Sequence, residues 1–454
     1  MAAHEKFNIK SLDELKNKIS DLGVDIRITE DTSPLGRKVK VGNKTAPNAV
    51  AILPMEGCDA NPDGSPSDLV ERRYLRYARG GAGLIWWEAC AVIPEGRANP
   101  LQKMLTKDNV GQFAALLKKA NHAAADSNGS DHRPVNILQV THSGRYSRPN
   151  GHSFEPVIAQ HDPLLDPRVG VDENSPVVTD AYLDDLIEHY IICAKLAEEA
   201  GFDGIDIKAC HRYLINELLA SHTREGKYGG SFENRSRLLM EIIKEVKKAT
   251  SDDFIKASRF NGFDAHPYPH SFGTDKDDFM IHNLDEPKTL AKMLCDNGVS
   301  MLGISASNPY YIYPQVIRPF DSPSIGVPVP QEHPLESAAR LFAIVAGIQD
   351  VVGDVPVVGT GYTWLRQFIP NVGAANLAAG RCGFVGLGRS SFAYPDAPRD
   401  MLEGKMDPEK CCITCSLCTQ MMRDHGRSGC PVKDSEVYAP LYKESRADAI
   451  SREK

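Results

Sequence analysis

Short apolar runs alternate along this chain with longer stretches in which apolar residues recur every three or four positions. Apolar runs bounded by turn residues predict buried strands, and the longer stretches predict amphipathic helices. Eight strands are predicted, at residues 49–55, 82–89, 135–142, 204–210, 254–259, 300–307, 355–361 and 384–389. Strands that alternate with helices in this way predict a parallel sheet with helical crossovers.

The clearest helix lies between the third and fourth predicted strands. Its apolar positions fall on one helical face, at Leu183, Leu186, Ile187, Tyr190, Ile191, Ala194 and Ala197. Asp180 is the predicted N-cap, and Gly201 follows the predicted end. A helix with a single apolar face is typical of one that packs on a sheet.

Eight β-α units in 454 residues favour an α/β fold closed into a (β/α)8 TIM barrel over an open doubly wound sheet. No G-x-G-x-x-G follows the first strand, so a Rossmann fold loses its main support. We expect an N-terminal cap at 1–45, the barrel at 46–405 and a Cys-rich C-terminal extension at 406–454. Residues 143–178, rich in Pro, Asp and Ser, are expected to form a long loop over the barrel mouth.

Composition and charge narrow the choice of partner. The net charge of -8 argues against nucleic acid or an anionic membrane surface, because both require a basic face. No run approaches the roughly 18 apolar residues of a membrane span, and the start MAAHEKFNIK contains no apolar core of a signal peptide. These features predict a soluble, cytoplasmic protein that binds a small molecule or another protein.

Five of the eleven cysteines lie close together near the C-terminus, at Cys411, Cys412, Cys415, Cys418 and Cys430. Two C-x-x-C steps followed by a fourth thiolate can converge on an iron–sulfur centre, and the same spacing also serves structural zinc. The spacing favours iron–sulfur, and whether Cys411 replaces Cys412 as a ligand is left open. The remaining cysteines are scattered singly, as free thiols of a reducing compartment would be.

In a barrel the chemistry gathers where the strands end. The third predicted strand leads into Gln139, the fourth into Lys208, His211 and Tyr213, and the fifth into Arg259. The last two strands lead into Thr360, Gly361, Gly388 and Arg389, where backbone N–H groups and a guanidinium can hold a phosphate. Each of these residues taken alone has an ordinary structural explanation, and their joint placement is the stronger signal.

Several segments resemble the old yellow enzyme family of FMN-dependent NAD(P)H:flavin oxidoreductases, and the resemblance covers roughly residues 30–435. They are HRYLINELLASHTREGKYGGSFENRSR at 211–237, GGAGLIWWEACAVIPEGR at 80–97, the Q-x-x-H-x-G-R motif at 139–145, and LPMEG at 53–57 in place of the family's A-P-M-T. The cysteine run is similar to that of the iron–sulfur branch, which includes 2,4-dienoyl-CoA reductase and trimethylamine dehydrogenase. The resemblance therefore implies FMN in the barrel and a nearby 4Fe–4S cluster, with zinc a minority alternative. The implied cluster ligands are Cys412, Cys415, Cys418 and Cys430.

The resemblance also implies roles for the residues at the strand ends. Gln139 would hydrogen-bond the flavin pyrimidine edge, and Arg259 would stabilise the reduced, anionic flavin. Backbone at Pro54, Met55 and Ala89 would bracket the flavin ring. The residues implied at the ribityl phosphate are Thr360, Gly361, Gly388 and Arg389.

The implied catalytic residues are Tyr213, His211 and Lys208. Tyr213 matches the tyrosine that protonates the substrate carbon, and His211 matches the second member of a pair that binds the substrate oxygen. The first member is usually histidine in this family, and here it is Lys208. An ammonium there would favour an anionic oxygen, whether a carboxylate or a developing enolate. Alternatively, Lys208 braces a nearby carboxylate such as Asp206 or Glu233 and touches no substrate.

Two reactions remain in competition. In the first, the enzyme reduces an activated C=C bond of an enone, enoate or enoyl thioester, with Tyr213 as the proton donor. In the second, it is an amine dehydrogenase or demethylase that passes electrons out through the cluster. Lys208 argues against the second, because an ammonium repels a cationic amine by about 4 kcal/mol at close contact and an effective dielectric near 20. A pure electron-transfer subunit is the weakest alternative, since it would leave Tyr213 and His211 idle.

Only 24 residues follow Cys430, too few for the FAD- and NAD-binding domains that follow the barrel in dienoyl-CoA reductase. We therefore expect electrons to arrive directly from NAD(P)H, or through a partner such as a ferredoxin or an electron-transfer flavoprotein. The sequence leaves the substrate and the oligomeric state open, a homo-oligomer included.

Overall fold

The computed structural model describes residues 4–311 and 318–452. Its strands are β1 (Val39–Val41), β2 (Lys44–Ala46), β3 (Val50–Ile52), β4 (Leu84–Ala91), β5 (Val135–Thr141), β6 (Gly204–Ala209), β7 (Ile255–Phe263), β8 (Val299–Ala306), β9 (Val357–Gly359) and β10 (Phe384–Leu387). Its α-helices are α1 (Leu12–Leu22), α2 (Asp68–Arg79), α3 (Val110–Asn128), α4 (Asp180–Glu199), α5 (Leu214–Leu219), α6 (Phe232–Ala249), α7 (Asp285–Asp296), α8 (Pro334–Gln349), α9 (Ile369–Ala378), α10 (Arg389–Ala393), α11 (Ala397–Leu402), α12 (Leu417–Arg423) and α13 (Ser435–Arg452).

The strands β3 to β10 close into a parallel barrel in the order β10-β3-β4-β5-β6-β7-β8-β9. Each of the eight predicted segments overlaps one of these strands, so the predicted (β/α)8 barrel is confirmed. All residues of β5 and β6 are buried, because such strands face the barrel interior on one side and the helices on the other. That double burial explains why the strands appear in the sequence as continuous apolar runs.

Strand β4 shows how alternate residues divide between the interior and the helical layer. Trp86 lies inside the barrel against Gly303 of β8, where an added Cβ would come within 2.7 Å of the indole. Trp87 faces outward and stacks on Tyr74 of α2, with ring centroids 3.7 Å apart and an angle of 5° between the rings. Both tryptophans are therefore core residues that fix this strand between two layers.

Helix α4 lies where the sequence predicts it, but its N-cap is one residue earlier than predicted. The N-cap is Thr179, whose extended backbone precedes the first turn and whose hydroxyl accepts a bond from the Tyr182 N–H at 3.1 Å. Asp180, predicted as the cap, is the first helical residue, and its carboxylate instead accepts from Arg224 at 2.8 Å. The predicted and the observed N-cap differ by one position because Thr and Asp are adjacent here and both cap helices well.

The segment 143–178 is more ordered than a simple loop. It contains two short 3-10 turns, Gly144–Tyr146 and Asp166–Arg168. Arg145, whose side chain is fully buried, binds Asp166 of the second turn and Glu217 of α5, the latter at 2.5 Å. These ion pairs hold the segment against the carboxyl-terminal face of the barrel.

The C-terminal extension is attached to the same face. Asp434 accepts two bonds from Arg72 of α2, at 2.7 and 2.8 Å, and a further bond from Arg76. The N–H of Ser428 donates to the carbonyl of Gly57, which lies in the loop after β3. Within the described ranges, no helix is long and apolar enough to cross a membrane. The boundaries of the three proposed regions stay predictions.

Candidate active site

A strained turn after β6 positions the predicted catalytic residues. His211 and Arg212 have φ values of 66° and 60°, in the left-handed region that non-glycine residues seldom adopt. Two asparagines hold this turn. The His211 N–H donates to Asn261 at 3.2 Å, and the Arg212 N–H donates to Asn216 at 2.7 Å. The strain is therefore balanced by specific bonds, which fix Tyr213 at the start of α5.

Lys208 is paired, although not with either predicted carboxylate. Its ammonium donates to Glu56 at 3.1 Å rather than to Asp206 or Glu233, and the two paired side chains are only 3% and 12% exposed. The same ammonium lies 3.9 Å from the centre of the Tyr213 ring. A cation over a phenol ring is attracted by the ring's electron density. Lys208 thus links Glu56 to Tyr213.

The network around Glu88 explains why Glu56 sits where it does. Glu88 accepts from the Gly57 N–H and from Arg73, both at 2.5 Å, and pairs with Lys103 at 3.3 Å. Burial alone would raise the pKa of Glu88, but Arg73 and Lys103 outweigh it and hold this pKa at about 2. Gly57 is required here, because an added Cβ would clash with the Arg73 guanidinium. This ionised network anchors the LPMEG segment that carries Glu56.

The hydroxyl of Tyr213 contacts Tyr310, a residue that was not predicted from the sequence. The Tyr213 hydroxyl lies 2.9 Å from the hydroxyl of Tyr310, which stacks on Tyr146 with centroids 3.9 Å apart. Burial raises the pKa of Tyr213 well above its usual range, and Glu56 acts in the same direction. Tyr213 is therefore a neutral phenol at pH 7, with its proton in place.

Burial also keeps His211 neutral. Burial lowers the pKa of His211 well below its usual value, and the positive charges of Arg259 and Lys208 lower it further. A neutral imidazole has one N–H that can donate and one nitrogen that can accept. His211 can therefore hydrogen-bond a substrate oxygen without carrying a charge.

Asp206 organises the predicted flavin-binding residues Gln139 and Arg259. Its carboxylate accepts from the Gln139 amide at 2.6 Å, from the Arg259 N–H at 2.7 Å and from the Trp86 indole at 2.9 Å. Burial raises the pKa of Asp206 to about 6, against the lowering effect of those bonds. Because alternate residues share a face, Asp206 and Lys208 face the same side of β6, with Gln139 and Arg259 in register beside them.

Arg259 retains unused hydrogen-bonding capacity. Its Nε is buried and has no hydrogen-bond partner within the described ranges, and no ion pair involving Arg259 is found there. Unpaired buried donors are costly unless a ligand satisfies them. Acceptor atoms on the edge of a flavin ring would satisfy this one, so the residue fits the predicted cofactor.

The residues expected beside the flavin ring meet at neighbouring strands. Pro54 and Met55 directly follow β3, and the Met55 sulfur lies 3.6 Å from where a Cβ on Gly388 would stand. Ala89 lies in a register shift between β4 and β5, within Trp87–Cys90. Such bulges redirect backbone at barrel rims. The structure therefore brings these positions to one side of the barrel mouth.

The predicted phosphate site is formed by the adjacent ends of β9 and β10. Gly361 has a φ of 97°, a conformation that favours glycine, and follows Thr360, whose hydroxyl donates to the Ile304 carbonyl at 3.4 Å. Arg389 donates to the Pro319 carbonyl at 2.8 Å, while its Nη1 is buried without a hydrogen-bond partner in the described structure. An unpaired guanidinium nitrogen beside a glycine turn fits a phosphate group.

The four predicted ligand cysteines line one pocket, together with Arg389. They are Cys412, Cys415, Cys418 and Cys430. Positive φ values at Thr414 and Ser416, of 49° and 59°, turn the chain tightly between the first three thiols. Backbone N–H groups point at two of the sulfurs, with Thr414 donating to Cys412 at 3.4 Å and Lys433 donating to Cys430 at 3.3 Å. Hydrogen bonds to cluster-bound sulfur tune iron–sulfur centres, so the donor set fits such a centre.

Cys411 is directed away from this pocket. Its thiol is buried and donates to the Asp407 carbonyl at 3.3 Å, whereas Cys412 faces the pocket. Over residues 4–311 and 318–452, no three His, Cys, Asp or Glu side chains have the geometry to hold a metal ion. The metal centre therefore stays a prediction, with Cys412 as the better-placed ligand of the two.

Comparison with known proteins gives the chain a family context. The sequence pattern of the NADH:flavin oxidoreductase / NADH oxidase family matches residues 35–287, which is more than half of the chain. NADH oxidase from Thermoanaerobacter brockii is 29% identical over 384 residues, a match that covers 83% of this chain and 52% of that protein. Cinnamate reductase from Clostridium sporogenes is 24% identical over 440 residues, covering 91% of this chain and 59% of that protein.

The fold has close counterparts among solved structures. The structure of 6-hydroxypseudooxynicotine amine oxidase from Pseudomonas geniculata N1 superimposes with a TM-score of 0.68 at 20% identity. That match covers 91% of this chain and 56% of the other, and at this identity the likeness is one of fold. The chain thus spans between half and three-fifths of these three proteins.

Proposed function

This chain belongs to the NADH:flavin oxidoreductase / NADH oxidase family and is a flavin oxidoreductase of the old yellow enzyme type, and we propose that it reduces an activated carbon–carbon double bond with FMN as its cofactor. The substrate would be an enoate, an enone or an enoyl thioester. The observation that carries this proposal is the position of Tyr213, a neutral phenol held beside Lys208 and His211 at the end of β6.

FMN, when bound, supplies the hydride for such a reaction. Gln139 and Arg259 would hold its pyrimidine edge, because Asp206 orients the Gln139 amide and Arg259 keeps a buried donor unpaired. Arg389 would bind its phosphate through the unpaired guanidinium nitrogen, beside Gly361.

The substrate would be held and protonated by residues of the β6 turn. Neutral His211 would donate a hydrogen bond to the carbonyl oxygen that activates the double bond. Tyr213 would give its proton to the substrate carbon that does not receive the hydride. A phenol with a raised pKa is a weak acid, so its fixed position must supply most of the rate enhancement.

Lys208 would act as a positioning residue in this scheme. Its charge is balanced by Glu56 at 3.1 Å, which weakens the argument that an ammonium would repel a cationic amine. Tyr213 still favours double-bond reduction over amine oxidation. A carbon must gain a proton when an alkene is reduced, whereas no carbon gains one when an amine is oxidised.

The cysteine pocket supports a second redox centre. Cys412, Cys415, Cys418 and Cys430 would hold a 4Fe–4S cluster, which supplies a one-electron carrier. Electrons would then arrive from NAD(P)H at the flavin, or from a ferredoxin or electron-transfer flavoprotein at the cluster.

The test separates the two half-reactions of anaerobically purified, FMN-loaded protein. We expect Tyr213→Phe to slow reoxidation of the reduced enzyme by an unsaturated acid or ketone by about 10²–10⁴-fold, because the phenol acts as general acid only there. The rate of flavin reduction should not change. Tyr442→Phe, on α13, is the matched control for loss of a phenol elsewhere.

Two outcomes would overturn the proposal. Equal losses in both half-reactions would give Tyr213 a purely structural role. Rapid flavin reduction by a tertiary amine, with no turnover of any unsaturated acid, ketone or thioester, would assign the amine reaction instead.

A further inference from the structure

Arginines without a carboxylate partner surround the Tyr213–Tyr310 pair and the neighbouring cysteine segment. Among the described residues, no ion pair is found for Arg148, Arg318, Arg389 or Arg423. Most other buried arginines do have carboxylate partners, as Arg145 has Glu217, although Arg97 donates only to backbone carbonyls and Arg259 has no ion pair among the described residues. Four guanidinium groups without a carboxylate partner therefore lie in this part of the molecule.

Arg148 is half-buried and contacts only neutral groups. Its Nε donates to the Ala98 carbonyl at 3.1 Å, and its Nη1 lies 3.1 Å from Nδ1 of His425. Burial lowers the pKa of His425 to about 3, so this imidazole is neutral at pH 7 and supplies Arg148 with a hydrogen-bond acceptor but with no negative charge. The guanidinium also lies 5.0 Å from the centre of the Phe154 ring.

Arg423, the last residue of α12, reaches the same region from the C-terminal extension. It donates to the carbonyl of Pro309 at 3.3 Å, directly next to Tyr310. Tyr310 in turn touches the hydroxyl of Tyr213 at 2.9 Å. Arg148 also lies near enough to lower the pKa of both tyrosines against the raising effect of burial. The two arginines thus approach one tyrosine pair from separate segments of the chain.

A half-buried guanidinium without a counter-charge loses hydration and gains little in return. A bound anion recovers that loss, because charge-assisted hydrogen bonds to a guanidinium are strong and directional. Lys208 cannot serve this purpose while Glu56 balances its charge. Arg389 is already assigned to the flavin phosphate, which leaves Arg148 and Arg423 nearest the proton donor.

We propose that Arg148 and Arg423 form the binding site for an anionic group of the substrate, next to Tyr213. This inference rests on the proposed function and narrows its substrate class to unsaturated acids or their CoA thioesters. Both sources offer anionic oxygens, one from a carboxylate and the other from phosphates. A neutral enone lacks the group that these arginines would bind.

The experiment compares three substrates that share one double bond: cinnamate, cinnamoyl-CoA and the neutral ketone 4-phenylbut-3-en-2-one. We expect Arg148→Gln and Arg423→Gln each to lower kcat/KM for an anionic substrate relative to the ketone by about 10–150-fold. A loss confined to cinnamate assigns the carboxylate, and a loss confined to the thioester assigns the phosphates. Arg79→Gln, at the exposed end of α2, is the control and should leave all three values unchanged.

A binding measurement keeps this inference separate from the reaction itself. The saturated acid 3-phenylpropanoate cannot be reduced, and its binding is followed through the absorption change of the bound flavin. Both glutamine variants should weaken its binding by about tenfold or more, and Arg148→Lys and Arg423→Lys should restore most of it by keeping the charge. If no alkene is reduced but this pattern holds, the anion site stands and the proposed reaction falls.

The inference is overturned by either of two results. One is a substrate preference and an acid affinity that stay unchanged in both glutamine variants. The other is a loss of the same size for acid, thioester and ketone, because that would mean that the arginines only support the fold of the barrel mouth.

Discussion

The ion pair between Lys208 and Glu56 offers a quantitative test of how the site is held together. Lys208→Met removes the ammonium but keeps an apolar side chain of similar length, and leaves the Glu56 carboxylate 12% exposed and without its partner. Breaking a buried ion pair at one end costs about 3–5 kcal/mol, because the remaining charge stays desolvated. Glu56→Gln should cost a similar amount for the same reason.

The double variant Lys208→Met, Glu56→Gln should lose much less free energy of unfolding than the two single variants lose in sum. With both charges gone, neither remains buried without a partner, and replacement of such pairs is often close to neutral. We therefore expect a coupling energy of about 2–4 kcal/mol, well above the roughly 0.5 kcal/mol within which independent sites add. The pair is only partly sealed from water, so we expect the lower part of this range.

The free energy of unfolding is measured by urea titration at pH 7, with saturating FMN in every sample so that ligand binding contributes equally. Lys119→Met is the control, because Lys119 and Glu71 form the same kind of pair at 2.9 Å with side chains 56% and 38% exposed. An exposed pair of this kind contributes less than about 1 kcal/mol. The contrast isolates burial as the cause of the larger effect.

The same variants separate bracing from substrate binding. If Lys208 acts only through Glu56 and Tyr213, its variants lower kcat for all substrates and leave the preference between cinnamate and the matched ketone unchanged. If the free-energy losses of the two single variants simply add in the double variant, the ion-pair reasoning is refuted. A shift in preference toward the ketone in Lys208→Met would instead mean that the ammonium touches the substrate.

Two further predictions concern the cysteine pocket and the flavin-facing carboxyl group. Cys415→Ala should abolish bound iron and sulfide while leaving some FMN bound. Cys411→Ala should retain the cluster, because the Cys411 thiol faces the Asp407 carbonyl. Stoichiometric zinc without iron in the anaerobically purified wild type would contradict this prediction. Burial raises the pKa of Asp206 from 3.8 to about 6, so the folded state holds its proton to higher pH than the unfolded chain and loses stability as pH rises from about 4 to 6. Unfolding titrations should show a decline of about 3 kcal/mol over this interval that Asp206→Asn lacks, and parallel profiles for the two proteins would contradict it.

The sequence by itself determined the barrel. Parallel strands between two apolar layers require continuous apolar runs, and the helices that cover them require a single apolar face, so both patterns were visible along the chain. The strand ends then followed, and with them the candidate residues Gln139, Lys208 and Arg259, because a closed parallel barrel brings all its carboxyl ends to one face.

Only the tertiary structure decided which of those residues are partners. Glu56 and Lys208 are 152 positions apart, and Tyr213 and Tyr310 are 97 apart, so no local pattern connects them. A hint did exist, since Glu56 and Lys208 both lie where the chain departs from its family's motifs. Charges that are far apart in sequence interact only once the barrel closes and removes water from between them, which is why the partner of Lys208 became visible only in the fold.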